Sequence, residues 1–532
     1  MSEILFQYHK VNSTTWVYLS SLLMLGLYFK FSRFWSVRNL DLILLILMAP
    51  GLLMAQYGGE ARVKAARLAQ REKLQAAAET EVPATTSGPI ADAIEPGPPE
   101  PAKSVAPAVG GPSGRPAGSA PRARSETAPP GQKTPGEAAA AALLEHSGNI
   151  EKLGFLWLFG VGGLLVVRLL LDPTMARRPL LEPNLTAGGL SFIGCSLFVF
   201  LMANVITSQP AWETPVDAPS IQRIASGDTS LENGAPEIRR GPGYAILNMI
   251  PCIPTMPLVP EGVPGAGYDH SYVTAARVIA ILCHLAVVVG LVAIGYWHFG
   301  STKTGVGVAT LYLMLPYTAQ MTGYIDHVVP AALLVWAVLC YRRPLTAGLL
   351  LGLATSLVYY PLFLLPLWLS FYWRRGLMRF LGGVAAMLVV MATSLAFLPS
   401  ASYWENLQQM FGLWLPVQTG LEGIWGLGWN PVYRVPVLAA FCVLSGTLAM
   451  WPAQKNLGTL LSCSAAVMVA TQFWHGYGGG LYMAWYLPLA LLTIFRPNLE
   501  DRVALVVLGE GWRARRTATA ANGFKAATWI LP

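Results

Sequence analysis

Charge is what this sequence has least of. Only 12% of its 532 residues are Asp, Glu, Lys or Arg, and 54% are hydrophobic, whereas soluble domains carry about 25% charged residues. That shortage excludes an ordinary soluble enzyme. Cysteine is equally scarce. There are six, none in a CxxC pair, so neither a metal knuckle nor a disulfide framework is implied. Cys195, Cys283, Cys340, Cys442 and Cys463 fall in apolar runs, and Cys252 stands alone in a loop. The GxSxG, Walker, HExxH and GxGxxG patterns are missing, as is any Cys/His nucleophile arrangement. Hydrolase, ATPase and dinucleotide chemistry therefore lack support. The mostly polar stretch Met1–Thr14 and the lack of a small-residue cleavage site argue against a signal peptide, so the first apolar run is read as a membrane anchor.

Long hydrophobic runs are abundant. Thirteen candidate spans occur, at 15–29, 39–56, 153–172, 187–206, 273–297, 305–320, 326–341, 344–358, 361–373, 380–398, 435–451, 457–473 and 481–495. A bilayer core needs about 20 apolar residues per helix, and runs of this length in lipid satisfy their backbone as helices. The expected class is an all-α polytopic helical bundle of about 11–13 transmembrane helices. Arg177–Arg178, Arg342–Arg343, Arg374–Arg375–Arg379, Arg513–Arg515–Arg516, Lys303 and Lys455 sit between the runs. Basic residues concentrate in short cytoplasmic loops, so these mark the inner side. Two long loops, 207–272 and 399–434, then face outward. The net charge of +8 reflects this flanking pattern and contact with lipid headgroups, and no nucleic-acid partner is expected.

Four regions separate by composition: a helix pair at 1–56, a linker at 57–148, a membrane body at 149–497 and a cytoplasmic tail at 498–532. The linker opens as an Ala-rich charged helix from Glu60 to Thr80 and continues as "EPGPPEPAKSVAPAVGGPSGRPAGSAPRARSETAPPG". Such a stretch buries too little apolar area to offset its ordering entropy, so it is read as disordered and as a place to bind other proteins. Its side is ambiguous. Alternation from Arg177–Arg178 puts it outside, whereas Arg62, Lys64, Arg67, Arg71 and Lys73 close to the second run argue for the inside. The stretch 344–373, with basic pairs at both flanks and Pro361 and Pro366 within, is expected to be a helical hairpin.

Candidate chemistry lies on the outer side. Glu213 and Asp217 are the acids of the first outer loop nearest the membrane, where a carboxylate can serve as a general base for a hydroxyl. Arg239 and Arg240 in the same loop, and Arg434 after the second, are suited to a phosphate oxygen. Asp326, a third catalytic candidate, and His327 sit at the mouth of one helix; Asp269 and His270 precede another. Together these Asp–His pairs would suit a divalent metal ion, the one cofactor considered; favourable acids at helix N-termini are the competing account. His475 enters beside the glycine run "HGYGGGLYMAWYLP". Trp404, Trp414, Trp425 and Trp429 make either an interfacial belt or a platform for a sugar or isoprenoid. His284 and His298 are read as packing residues.

The segment "GYIDHVVPAALLVWAVLCYRRPLTAGLLLGLATSLVYYPLFLLPLW" (323–368) resembles the GT-C-fold glycosyltransferases that use polyprenyl-phosphate sugars, in particular their bacterial mannosyltransferase-like branch. "YMAWYLPLALL" (482–492) is similar to their late helix. The resemblance implies a seven-helix module running from 187 to about 398, in a bacterial inner membrane. It implies transfer of a sugar, mannose in that branch, from a polyprenyl-phosphate donor to an acceptor hydroxyl with inversion. Glu213 or Asp217 would be the base, and Arg239, Arg240 or Arg434 would hold the leaving lipid phosphate. The chain departs from the pattern at Val358, where relatives often carry lysine. A transporter or flippase of lipid-linked substrates and a non-catalytic scaffold are the alternative expectations.

Overall fold

The computed structural model describes residues 12–80, 135–175, 181–207, 243–244, 247, 266–397, 403–412, 421–453 and 455–497. Among the described residues every regular element is helical. Seven helices among the described residues are long and apolar enough to cross a membrane, and the chain is a multi-pass helical membrane protein. The chain divides into a membrane body, 1–58 with 149–532, and a second unit, 59–148. In the second unit the described residues are helical to Thr80 and again from Pro135. The second of these helices thus begins upstream of residue 149, inside the segment assigned to the linker.

Local chemistry sets the helix boundaries. Asn12, Ser301 and Asn456 cap the helices Ser13–Tyr28, Thr302–Met314 and Leu457–Trp474, each side chain accepting from a backbone N–H two or three residues on. Proline opens others, as at Pro344 and Pro488, where its missing N–H costs nothing. Proline also explains two departures from the expected spans. The run 305–320 is broken before Pro316 into Thr302–Met314 and the short helix Pro316–Gln320, because proline cannot donate within a helix. The run 481–495 is a 3-10 turn at Met483–Trp485 and α-helical over Leu487–Phe495; its start follows Gly478 and Gly480, whose φ of 69° and 101° belong to a turn. The 344–373 stretch folds as Pro344–Leu357, a 3-10 turn Tyr360–Leu364 and Leu365–Tyr372. The Tyr372 hydroxyl donates to the Tyr341 carbonyl at 2.7 Å, so the two ends of this hairpin meet.

Leu457–Trp474 is the axis of the body. Its apolar window is 94% buried, against 22% for Leu377–Ser394 and for Pro431–Met450. Its small residues, among them Gly458, Ser462, Ser464, Ala465 and Ala466, admit neighbours on every side. Lipid provides no hydrophobic drive between helices, so close packing and polar contacts must hold them. Gly348 and Gly352 face Gly383 and Val384 across a tightly packed helix pair. A β-carbon on Gly383 would press on the Leu345 carbonyl and lie 2.9 Å from the Leu349 nitrogen. Gly51, Gly58 and Gly154 do the same between Val37–Thr80 and Pro135–Leu171.

A buried ion quartet joins three parts of the chain. Arg168 takes both carboxylate oxygens of Asp41 at 2.7 and 2.9 Å and one oxygen of Asp172 at 3.1 Å. Arg496 meets the other Asp172 oxygen at 2.8 Å. Gly458 leaves room for the Arg496 guanidinium. These contacts place Lys30, Arg33, Arg38, Asp172 and Arg496 at one end of the bundle, the basic end. Gly58 packs on Glu151 at the other end of its antiparallel pair. Within the body, this agrees with the alternation counted from Arg177–Arg178.

Candidate functional site

At the end opposite the basic one, the chain turns at 315–324, 358–360 and 475–486. The helices leading there are short. Thr302–Met314 is about 20 Å long, and Ile325–Leu339 and Pro344–Leu357 are each about 22 Å, against a hydrocarbon core of about 30 Å. Starting from the basic surface, they end below the opposite one, so the turns they carry are recessed.

Four of the sequence-predicted residues gather in this recess. Asp326 and His327 occupy the first turn of Ile325–Leu339 and are buried. No side chain caps that terminus, where Tyr324 is the N-cap residue; Asp326 gains from the macrodipole instead. His327 Nε2 lies 4.0 Å from Asp326 Oδ2, and the Tyr317 hydroxyl meets His327 Nδ1. His475 caps Leu457–Trp474, and the Tyr477 N–H donates to its Nδ1 at 3.1 Å. The Tyr482 ring lies between the imidazoles, 4.4 Å from His327 and 4.5 Å from His475. The column continues from His475 to Tyr360 at 4.7 Å and from Tyr360 to Trp474 at 5.0 Å. Arg434 closes it. This buried guanidinium stands 6.0 Å over the Trp474 ring, and its Nε donates to the Trp474 carbonyl at 2.7 Å.

Main-chain contacts brace the carboxylate's helix. Trp485 Nε1 donates to the Asp326 carbonyl at 3.0 Å, and the Tyr244 hydroxyl reaches the same oxygen at 3.4 Å. Tyr244 belongs to the first long loop, so that loop folds back onto the recess at one described point. The glycine turn is held by Gln472, whose Oε1 accepts from Gly480 N and Tyr482 N at 3.1 and 3.2 Å. At Gly479 any side chain would meet the Gln472 carbonyl. Gln472→Leu removes the acceptor while leaving two buried N–H groups, each costing about 1–3 kcal/mol. Faster amide exchange across 478–482 is the expected result; unchanged exchange would show the turn stands without Gln472.

Glu213, Asp217, Arg239 and Arg240 lie outside the described residues, as do the side chains of Asp269 and His270. Among the described residues no group of three or more His, Cys, Asp or Glu could hold a metal ion. Trp425 is buried beside the glycine turn, where Glu422 N donates to the Gly476 carbonyl at 2.8 Å. The helix Tyr403–Phe411 exposes Tyr403 and Trp404 and buries Asn406 and Met410, an amphipathic arrangement. His284 and His298 bond to backbone carbonyls of Thr322 and Leu339, as packing residues do.

Sequence reasoning passed over Tyr317, Tyr360, Tyr482 and Gln472 as site residues. Tyrosine in apolar runs is common, and only spatial stacking sets these apart. The quartet was also missed, although Asp41 and Arg168 inside apolar runs were a usable signal. A carboxylate, two imidazoles and a guanidinium in one recess can move a proton and hold an anion. Comparison with known proteins yields no match to any family model, curated protein or solved structure.

Proposed function

We propose that this chain is a GT-C-type membrane glycosyltransferase acting on the non-cytoplasmic side of a bacterial plasma membrane. It moves a sugar, mannose in the first instance, from a polyprenyl-phosphate donor to an acceptor hydroxyl. One observation carries the reading: Asp326, His327, His475 and Arg434 share a recess at the end opposite the basic loops. The 323–368 resemblance supports it independently.

In this reading the acceptor oxygen attacks the anomeric carbon from the face opposite the phosphate. The new C–O bond forms as the bond to the phosphate oxygen breaks, and the phosphate leaves with that electron pair. The acceptor proton passes to a carboxylate. Asp326 is the described carboxylate for this role, with Glu213 and Asp217 as loop candidates. Arg434 balances charge on the departing lipid phosphate, and such electrostatic help is commonly the largest catalytic contribution. The stacked rings of Tyr360 and Tyr482 offer flat faces to a sugar.

Asp326→Asn is expected to slow transfer from polyprenyl-phosphate mannose in proteoliposomes by about 100-fold or more, with donor binding retained. A paired Glu213→Gln and Asp217→Asn chain tests the loop acids in the same assay. Full transfer by the Asp326 variant would remove that residue from the mechanism. Movement of the intact donor across the bilayer with no new glycosidic product would replace the reading with a transporter.

A further inference from the structure

At the basic end, far from the recess, two turns meet and pool their charge. Arg342 and Arg343 precede the helix Pro344–Leu357, while Arg374, Arg375 and Arg379 surround the start of Leu377–Ser394. The two helices run side by side in the same direction, with Gly348 against Phe380 and Gly352 against Val384. Their starts therefore stand at the same height. The turns themselves touch. The Tyr372 hydroxyl donates to the Tyr341 carbonyl at 2.7 Å, and a β-carbon on Gly376 would run into the Pro344 ring. Gly376 takes a φ of 87°, which suits glycine and keeps the second turn tight.

The charge gathered there is of one sign. From His327 to Trp404 the chain contains these five arginines and no Asp, Glu or Lys. Neither helix has an acid in its first turn. Four of the arginines are exposed, and Arg342 is half-buried with its guanidinium 5.8 Å over the Tyr341 ring. Bulky apolar side chains are exposed among them: Trp373 at 71%, Met378 at 79% and Leu345 at 51%. Exposed apolar groups of this size beside cations mark a surface that something covers.

We propose that the 341–345 and 373–379 turns form a binding site for anionic phospholipid headgroups at the basic face of the membrane. Guanidiniums pair with the phosphate oxygens, and Trp373, Met378 and Leu345 sit at the boundary with the acyl chains, where such side chains are favoured. A free phosphate would use the arginines and leave the three apolar groups in water; a phospholipid uses both. The inference concerns the face opposite the recess and does not depend on sugar transfer.

The test places the full-length protein in phosphatidylcholine nanodiscs doped with photoreactive phosphatidylglycerol or photoreactive phosphatidylcholine, and maps the adducts by peptide mass spectrometry. In the wild type, phosphatidylglycerol is expected to label these two turns about fivefold or more over phosphatidylcholine, and the excess should shrink as salt is raised. Arg374→Gln with Arg375→Gln and Arg379→Gln is expected to remove the excess, whereas lysine at the same three positions should keep most of it. Lys30→Gln with Arg33→Gln takes charge from another part of the basic end and is expected to leave the labelling of these turns unchanged. Equal labelling by the two lipids in the wild type overturns the proposal without reference to any variant. So does an excess that survives the three Gln substitutions. Loss of the adducts on adding inorganic phosphate or polyglutamate at constant ionic strength would also overturn it, assigning the turns to a soluble anion or an acidic protein.

Discussion

Asp172→Asn is expected to lower the stability of the folded chain by about 3–5 kcal/mol, read as a large drop in melting temperature in mild detergent. Asp172 receives both Arg168 and Arg496, and its side chain is fully buried. The neutral amide would take from Arg496 the carboxylate it meets, and would leave Arg168 with Asp41 alone of the two acids it touches. An uncompensated buried charge is far worse than no charge at all. Replacing the whole quartet at once (Asp41→Leu, Arg168→Met, Asp172→Leu, Arg496→Met) is therefore expected to recover most of the loss, because buried pairs exchanged for apolar packing are often neutral. If the single variant melted like the wild type, the quartet would be a solvated cluster with no structural weight.

Gly383→Val is expected to be nearly as damaging. The added carbons would press on the Leu345 carbonyl and the Leu349 nitrogen, both backbone groups that cannot rotate away. Overpacking of a tight core commonly costs 1–3 kcal/mol, and here relief requires separating two helices, so about 3 kcal/mol or more is expected. Gly382 supplies the control, since a β-carbon there meets nothing within 4 Å. Gly382→Ala should instead stabilise by up to about 1 kcal/mol, helix propensity being the only change. Equal melting temperatures for the two variants would refute the close-approach account.

Most of the helical runs were legible because long apolar stretches admit one structure in lipid, and the gathering of basic residues at one end of the body because Arg and Lys punctuate those runs. The broken helices were less so. Pro316 and the Gly478–Gly480 turn were visible as letters, but an apolar window does not register a break that neighbouring helices repair. The side of the linker was ambiguous in the sequence because basic residues follow the second run. Within the body, the Asp41–Arg168–Asp172 contacts settle how the 37–58 and 149–171 helices lie, information that depends on residues more than a hundred positions apart. Of the site, Asp326, His327, Arg434 and His475 could be named from their polar character in apolar surroundings. The rings between them could not, since stacking leaves no periodicity in one strand of text. Glu213, Asp217, Arg239 and Arg240 remain candidates outside the described residues.

The pairing of Asp172 with Arg496 also bears on how the chain is made. The ribosome delivers Asp41, Arg168 and Asp172 more than three hundred residues before Arg496. The Arg496 contact to Asp172 therefore closes only after most of the membrane body has been synthesised, so this joint is sealed late.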